Sequence, residues 1–172
     1  MTQHALGEPA LFYVRLLFAT GDLIRLGSMQ PDFAFWLQAR AIKAINEALS
    51  DPDRATSDAL ILAVGRIALH ETLYGDKQAA GSYHRPAQKR MIQMRGGMKA
   101  LPFPGLVKRL MRWADTVMAK QTGTDRVLED DEENENFTMR QHVDVLEQWV
   151  PKEGQDFKKK IKIADLLSPA PS

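Results

Sequence analysis

The chain has 172 residues, 44% of them hydrophobic and 26% charged, the size of one domain with enough apolar surface for a real core. Its 23 Lys and Arg against 22 Asp and Glu leave a formal charge of +1, which excludes a uniformly basic nucleic-acid coat and a highly acidic disordered chain. The absence of cysteine excludes a disulfide scaffold, a cysteine zinc site and a cysteine nucleophile, and it fits a reducing compartment.

The most apolar early stretch, Ala10 to Leu26, is interrupted by Arg15, Asp22 and Arg25, whereas a spanning helix needs about 20 mostly apolar residues. Residues 1–8 carry no Lys or Arg, so the positive start of an export signal is missing. The expectation is a nuclear or cytoplasmic protein, not secreted and not in a membrane.

Helical periodicity dominates, and no apolar/polar alternation bounded by hairpin turns is present. A first helix is predicted from about Pro9 to Leu26, with Pro9 suited to its first turn and Gly21 able to kink or split it. A second runs from about Pro31 to Leu49, with Phe35, Ala39, Ile42, Ala44, Ile45 and Leu49 as its apolar stripe. Pro52 ends it. A third runs from about Ser57 to Tyr74, capped by Ser57 or Asp58, with Leu60, Ile61, Val64, Ile67, Ala68 and Leu73 as its stripe. Asp76 can cap the fourth segment, Lys77 to Arg95, which Pro86 breaks into a short turn and a helix ending at Gly96-Gly97. A fifth runs from Pro104 to Lys120 and stops at Thr122-Gly123.

Beyond it, Glu129 to Glu135 form an acidic run that reads as an exposed loop. Two short helices follow, one capped by Thr138 and Gln141 and one by Asp156. The fold class is therefore all-α: an antiparallel array of about five core helices plus two short C-terminal helices. The domains are a helical unit over 1–123, an acidic linker over 124–136 and a helical extension over 137–172.

Three stretches together carry a resemblance. They are Glu8-Pro9-Ala10-Leu11-Phe12; then Leu49-Ser50-Asp51-Pro52 with Ser57 to Val64; then Glu71 to Asp76 (ETLYGD), His84, Met91 to Gly97 (MIQMRGG), Gly105-Leu106 and Trp113-Ala114-Asp115. In this order they resemble the fungal-specific transcription factor domain, the helical regulatory region that accompanies zinc binuclear cluster DNA-binding domains. The resemblance spans roughly residues 8–120. It implies that His84, Arg95, Gly96, Gly97 and Asp115 are structural motif residues. The family commonly follows its His with Gly-Leu, where this chain has Arg85-Pro86-Ala87-Gln88, and its domains usually continue with many more helices. The six-cysteine cluster is absent. The resemblance thus implies a non-enzymatic regulatory or protein-interaction module, short or truncated, lacking its own DNA-reading part. A protein partner or self-association follows, with no cofactor and no sequence-specific DNA binding by this chain alone.

Other chemistry is weighed against that reading. His70-Glu71 lacks the second His of a zinc-protease helix, because position 74 is Tyr74. Structural side chains are the favoured reading, and an internal small-molecule or enzymatic pocket near His70, His84 and Asp115 is the alternative. Asp115 reads as a buried ion-pair partner of Arg95 or Arg66. Residues 77–114 hold nine positive charges and no acid; Arg85, Lys89, Arg90, Arg95, Lys108, Arg109 and Arg112 form a candidate basic face for nucleic acid or an acidic partner. A solvated face neutralised by the acidic run is the favoured reading of it. Arg95-Gly96-Gly97 reads as a helix cap before an RNA-binding element, Lys158 to Lys162 as a weak import-like cluster, and Phe12, Phe18, Phe35, Trp36 and Trp113 as core.

Overall fold

The computed structural model describes residues 7–128; the acidic run, the two C-terminal helices and the lysine cluster lie outside them. Within 7–128 the chain is all-α. The helices are α1 (Pro9–Arg25), α2 (Pro31–Leu49), α3 (Asp58–Tyr74), the short α4 (Lys77–Ala79), α5 (Arg85–Met94) and α6 (Gly105–Thr122). A π-helical turn, Ala80–His84, joins α4 to α5. Contacts between helix ends give the directions. Glu8 before α1 meets Arg54 beyond α2, and Asp22 meets Tyr74, so α1 and α3 run one way and α2 returns. Arg95 at the end of α5 reaches Thr56 just before α3, while Lys77 meets Gln121 near the end of α6. Successive long helical segments therefore alternate in direction, five in all among the described residues.

Local chemistry explains the ends. Glu8 caps α1 through its carboxylate on the Ala10 N–H, and Ser57 Oγ accepts from Leu60 N to start α3. Asp76 takes two N–H groups, from Gln78 and Ala79. Gly123, at φ 65°, closes α6 in the left-handed conformation that glycine adopts cheaply. Pro86 does not break its segment. A proline inside a helix removes a hydrogen bond and crowds the carbonyl four residues back, here that of Ser82. The chain widens at that place: the Arg85 N–H bonds to Ala80 O, five residues earlier, and the helix continues.

Gly21 does not split α1. It is buried, and a Cβ there would stand 2.7 Å from the Tyr74 ring, so glycine lets the end of α3 lie against α1. Gly65 does the same for Gln88, which crosses α3 closely enough to donate to Ile61 O.

The main core is built on α3, with Leu60, Ile61, Ala63, Val64 and Ile67 meeting Val14 and Leu17 of α1 and Met91 and Ile92 of α5. A smaller cluster of Ala68, Leu69 and Met118 packs with Phe18 and Trp113. The inward face of α2 matches the expected stripe at Ala44 and Ile45 and departs from it elsewhere. Leu37, Ala41, Ala44, Ile45 and Ala48 are buried, whereas Phe35, Ile42 and Leu49 are exposed. Small alanines let α2 approach α1 closely, so the alanine row turns inward and the larger row outward. Phe12 and Trp36 are likewise exposed rather than core, and Leu73 of α3 is 41% exposed.

The deepest polar contact is Arg85 with Asp115, 1% and 0% exposed. Arg85 Nη2 donates to Asp115 Oδ1 at 2.9 Å and to Asp125 O at 2.8 Å, and Nη1 donates to the Thr124 hydroxyl. Asp115 Oδ2 accepts from the N–H groups of Val127 and Leu128 at 2.8 and 2.9 Å. The expected partners of Asp115 were Arg95 and Arg66; the partner is Arg85. Arg95 instead donates to Thr56 O and faces Asp58 at 2.9 Å, and Arg66 lies over the Phe18 ring. Residues 124–128 thus belong to the packed unit, and the boundary at Gly123 ends α6 without ending the fold.

Removing one partner of a buried pair leaves an uncompensated charge and costs about 3–5 kcal/mol. Asp115→Ala is expected to lose stability on that scale in denaturant unfolding, whereas the exposed Lys43→Ala, which removes a surface ion pair, loses about 0–1 kcal/mol. A chain ending at Gly123 leaves Asp115 Oδ2 without its donors and is expected to melt well below the full chain; equal melting temperatures in calorimetry refute this.

Candidate functional site

Three features invite function: a cluster around Glu71, a cavity between α3 and α6, and an outward apolar surface on α1 and α2.

Glu71 is 2% exposed on the inward side of α3. Gln38 of α2 donates to Oε1 at 2.6 Å and the Asp76 N–H to Oε2 at 2.7 Å. The carboxylate therefore locks the α3–α4 turn to the start of α2. His70, 6% exposed, is packed edge-on against Phe18 and tilted against Tyr74. Its Nδ1 stands 4.0 Å from Glu71 Oε1, beyond hydrogen-bond range, and has no hydrogen-bond partner. Burial lowers the pKa of His70 and, on the other side of Glu71, of His84; the negative charge of Glu71 offsets this only in part. Burial thus disfavours the charged form of both imidazoles. Among the described residues no group of three or more His, Asp or Glu is placed to hold a metal. The carboxylate is held on each oxygen by one donor, an amide and a backbone N–H, and joins α2 to the α3–α4 turn, so this cluster reads as structural.

The basic residues do not form one face. Arg85 and Arg112 are buried, and Arg85 is spent on Asp115. Arg95 is half-buried against Thr56 and Asp58, and Lys108 donates to Lys99 O. Arg90 and Arg109 are exposed, with Lys89 partly so. The candidate basic face is corrected accordingly: periodicity shows charge along a segment but not which side of the helix carries it, and two of its arginines turn inward. Gly96 and Gly97, at φ 86° and 87°, close α5, with the Gly97 N–H on Ile92 O.

The cavity lies between α3 and α6, with Pro102, Phe103 and Pro104 among its lining and a volume of about 490 Å³. Ala59, Leu62, Gly65 and Leu69 line one wall at helical spacing, and Val107, Met111, Ala114 and Met118 the other. Leu11 and Arg15 of α1 and Gln88 of α5 complete it, with Asp58 and Arg66. None of His70, His84 and Asp115 lines it. The periodicities of α3 and α6 do show the lining rows, but not that the two rows enclose a hollow beyond the contact at Leu69 and Met118.

The outward surface has a regular spacing. On α1 and its C-cap, Phe12, Leu16, Ala19, Leu23 and Leu26 follow steps of four, three, four and three residues, all exposed. On α2 the same steps give Phe35, Ala39, Ile42, Asn46 and Leu49, all exposed. The large members of both rows are 39–66% exposed. Phe12, Tyr13, Trp36 and Phe33 touch ring to ring, and Arg40 sits 5.3 Å over Trp36. This spacing is that of a coiled-coil seam.

No helix among the described residues is long and apolar enough to cross a membrane. No protein-family model, no curated protein and no solved structure matches the chain.

His70 and His84 have folded pKa values below the usual 6.5, so between those values and about 6.5 the unfolded chain binds more protons. Stability is therefore fully present above about pH 6.5 and falls as pH drops through the lowered values. The melting temperature is expected to fall from about pH 7 to about pH 5.5, and His70→Phe with His84→Gln to flatten that slope. An unchanged slope in the double variant refutes the assignment.

Proposed function

We propose that this chain is a non-enzymatic regulatory or protein-interaction module of the kind the fungal-specific transcription factor domain represents, acting in the nucleus or cytoplasm. The motif order from Glu8 to Asp115 supports the family. The observation that carries the interaction is the pair of outward heptad-spaced rows on α1 and α2.

A stripe opposite the core that keeps steps of four and three is what a second helix of equal spacing packs into. Scattered exposed apolar residues need no explanation, but a repeated row does. The partner this pattern fits is a second copy of the chain. It brings the same spacing, and Asn46 in an otherwise apolar row would meet its own counterpart, amide to amide. A single polar residue at such a position sets register and oligomer state at some cost in stability. Pairing through these rows offers a way to join, or interfere with, a longer regulator that presents similar helices.

Light scattering on the eluting chain, over a concentration series, is expected to show twice 19.4 kDa. Ile42→Glu with Leu49→Glu, on the exposed row, is expected to return the single-chain mass with unchanged helical circular dichroism. A single-chain mass for the unaltered protein at every concentration overturns the reading.

A further inference from the structure

The cavity between α3 and α6 carries a separate inference, because none of the seam residues lines it. Its walls are mostly aliphatic and aromatic, with Leu62, Leu69, Phe103, Val107 and Met111 among them. At about 490 Å³ it lies within the range of small-molecule sites. Three charged side chains reach it, and they are not alike. Asp58 is held 2.9 Å from Arg95. Arg15 and Arg66 make no ion pair among the described residues. Arg66 is fixed in place, its guanidinium 4.4 Å from the centre of the Phe18 ring. Its pKa is lowered by burial and then by the charge of Arg15, so the two cations work against each other with no anion between them.

Two guanidiniums from neighbouring helices, facing one apolar hollow and lacking a counter-ion, are the complement of an anionic head on an apolar chain. We propose that this cavity binds a single-chain amphiphile with an anionic head, the head paired with Arg15 and Arg66 and the chain lying between α3 and α6. The aliphatic walls select the chain and reject a wholly polar anion, because burying a polar body without partners is costly. The arginines select the head, since Arg presents a planar fork that matches carboxylate and phosphate oxygens.

Calorimetric titration of the full chain with decanoate, decyl phosphate and decanol, each below its aggregation concentration, tests this. Decanoate or decyl phosphate is expected to bind saturably at one site, at least tenfold more tightly than decanol. The tighter of the two anions identifies the head. Arg15→Gln with Arg66→Gln removes no ion pair among the described residues but gives up the Arg66–Phe18 contact; the variant is expected to keep the helical circular dichroism of the parent while anion affinity drops at least tenfold. Ala59→Trp, which fills the hollow, is expected to abolish binding of both anions. No saturable binding of either anion, equal affinity for decanol, or affinity unmoved by the double arginine variant would each overturn the proposal.

Discussion

Arg85 and Asp115 meet where water does not reach, joined by two hydrogen bonds, and four more from and to the following chain complete the pair. A guanidinium and a carboxylate pulled from water lose several kcal/mol each, and their attraction restores this only when nearly every remaining donor and acceptor is satisfied. Here that requirement dictates architecture. Arg85 sits on the first turn of α5, Asp115 in the middle of α6, and the partners that finish the job lie on Thr124, Asp125, Val127 and Leu128. The chain after α6 must therefore fold back along it. The π-helical turn before Arg85 belongs to the same constraint. It lets Pro86 remain in a helix whose first side chain points inward.

The rest of the structure divides by what each helix buries. α3 is covered on most sides and reads as the central element, with α1 and the α5 segment on either side of it. Close approach is arranged by small residues: Gly21 under Tyr74, Gly65 under Gln88, and the alanines of α2 against α1. Where small residues face a neighbour, helices touch. Between α3 and α6, Ala68 and Leu69 pack with Met118 at one end, while the remaining lining residues leave a hollow. Close packing on one side and a gap on the other follow from the same steric rule.

The two functional readings use different surfaces of one scaffold. The outward rows of α1 and α2 favour a helical partner through area and spacing. The α3–α6 cavity favours a small amphiphile through volume and uncompensated charge. A regulatory module that held both would have a place for a signal and a place for a partner, joined by α1, which contributes Arg15 to the cavity and Leu16 to the seam.

The amino-acid sequence by itself determined the helices and their ends, because capping residues, prolines and glycines act over a few neighbours: Glu8, Ser57, Asp76, Gly97 and Gly123 each do locally what their chemistry dictates. It also marked Asp115 as a carboxylate in need of a cation. Only the tertiary structure decided which cation. Along the chain Arg95 or Arg66 is the expected cation, the partner is Arg85, and the choice depends on which helix faces α6. The same limit applies to α2, where periodicity shows apolar residues on two sides and cannot say which side turns inward. Helical spacing fixes the angle between side chains on one helix and carries no information about where the next helix lies. The cavity, the unpaired arginines and the outward rows all depend on that second quantity, so they became visible only once the helices were packed.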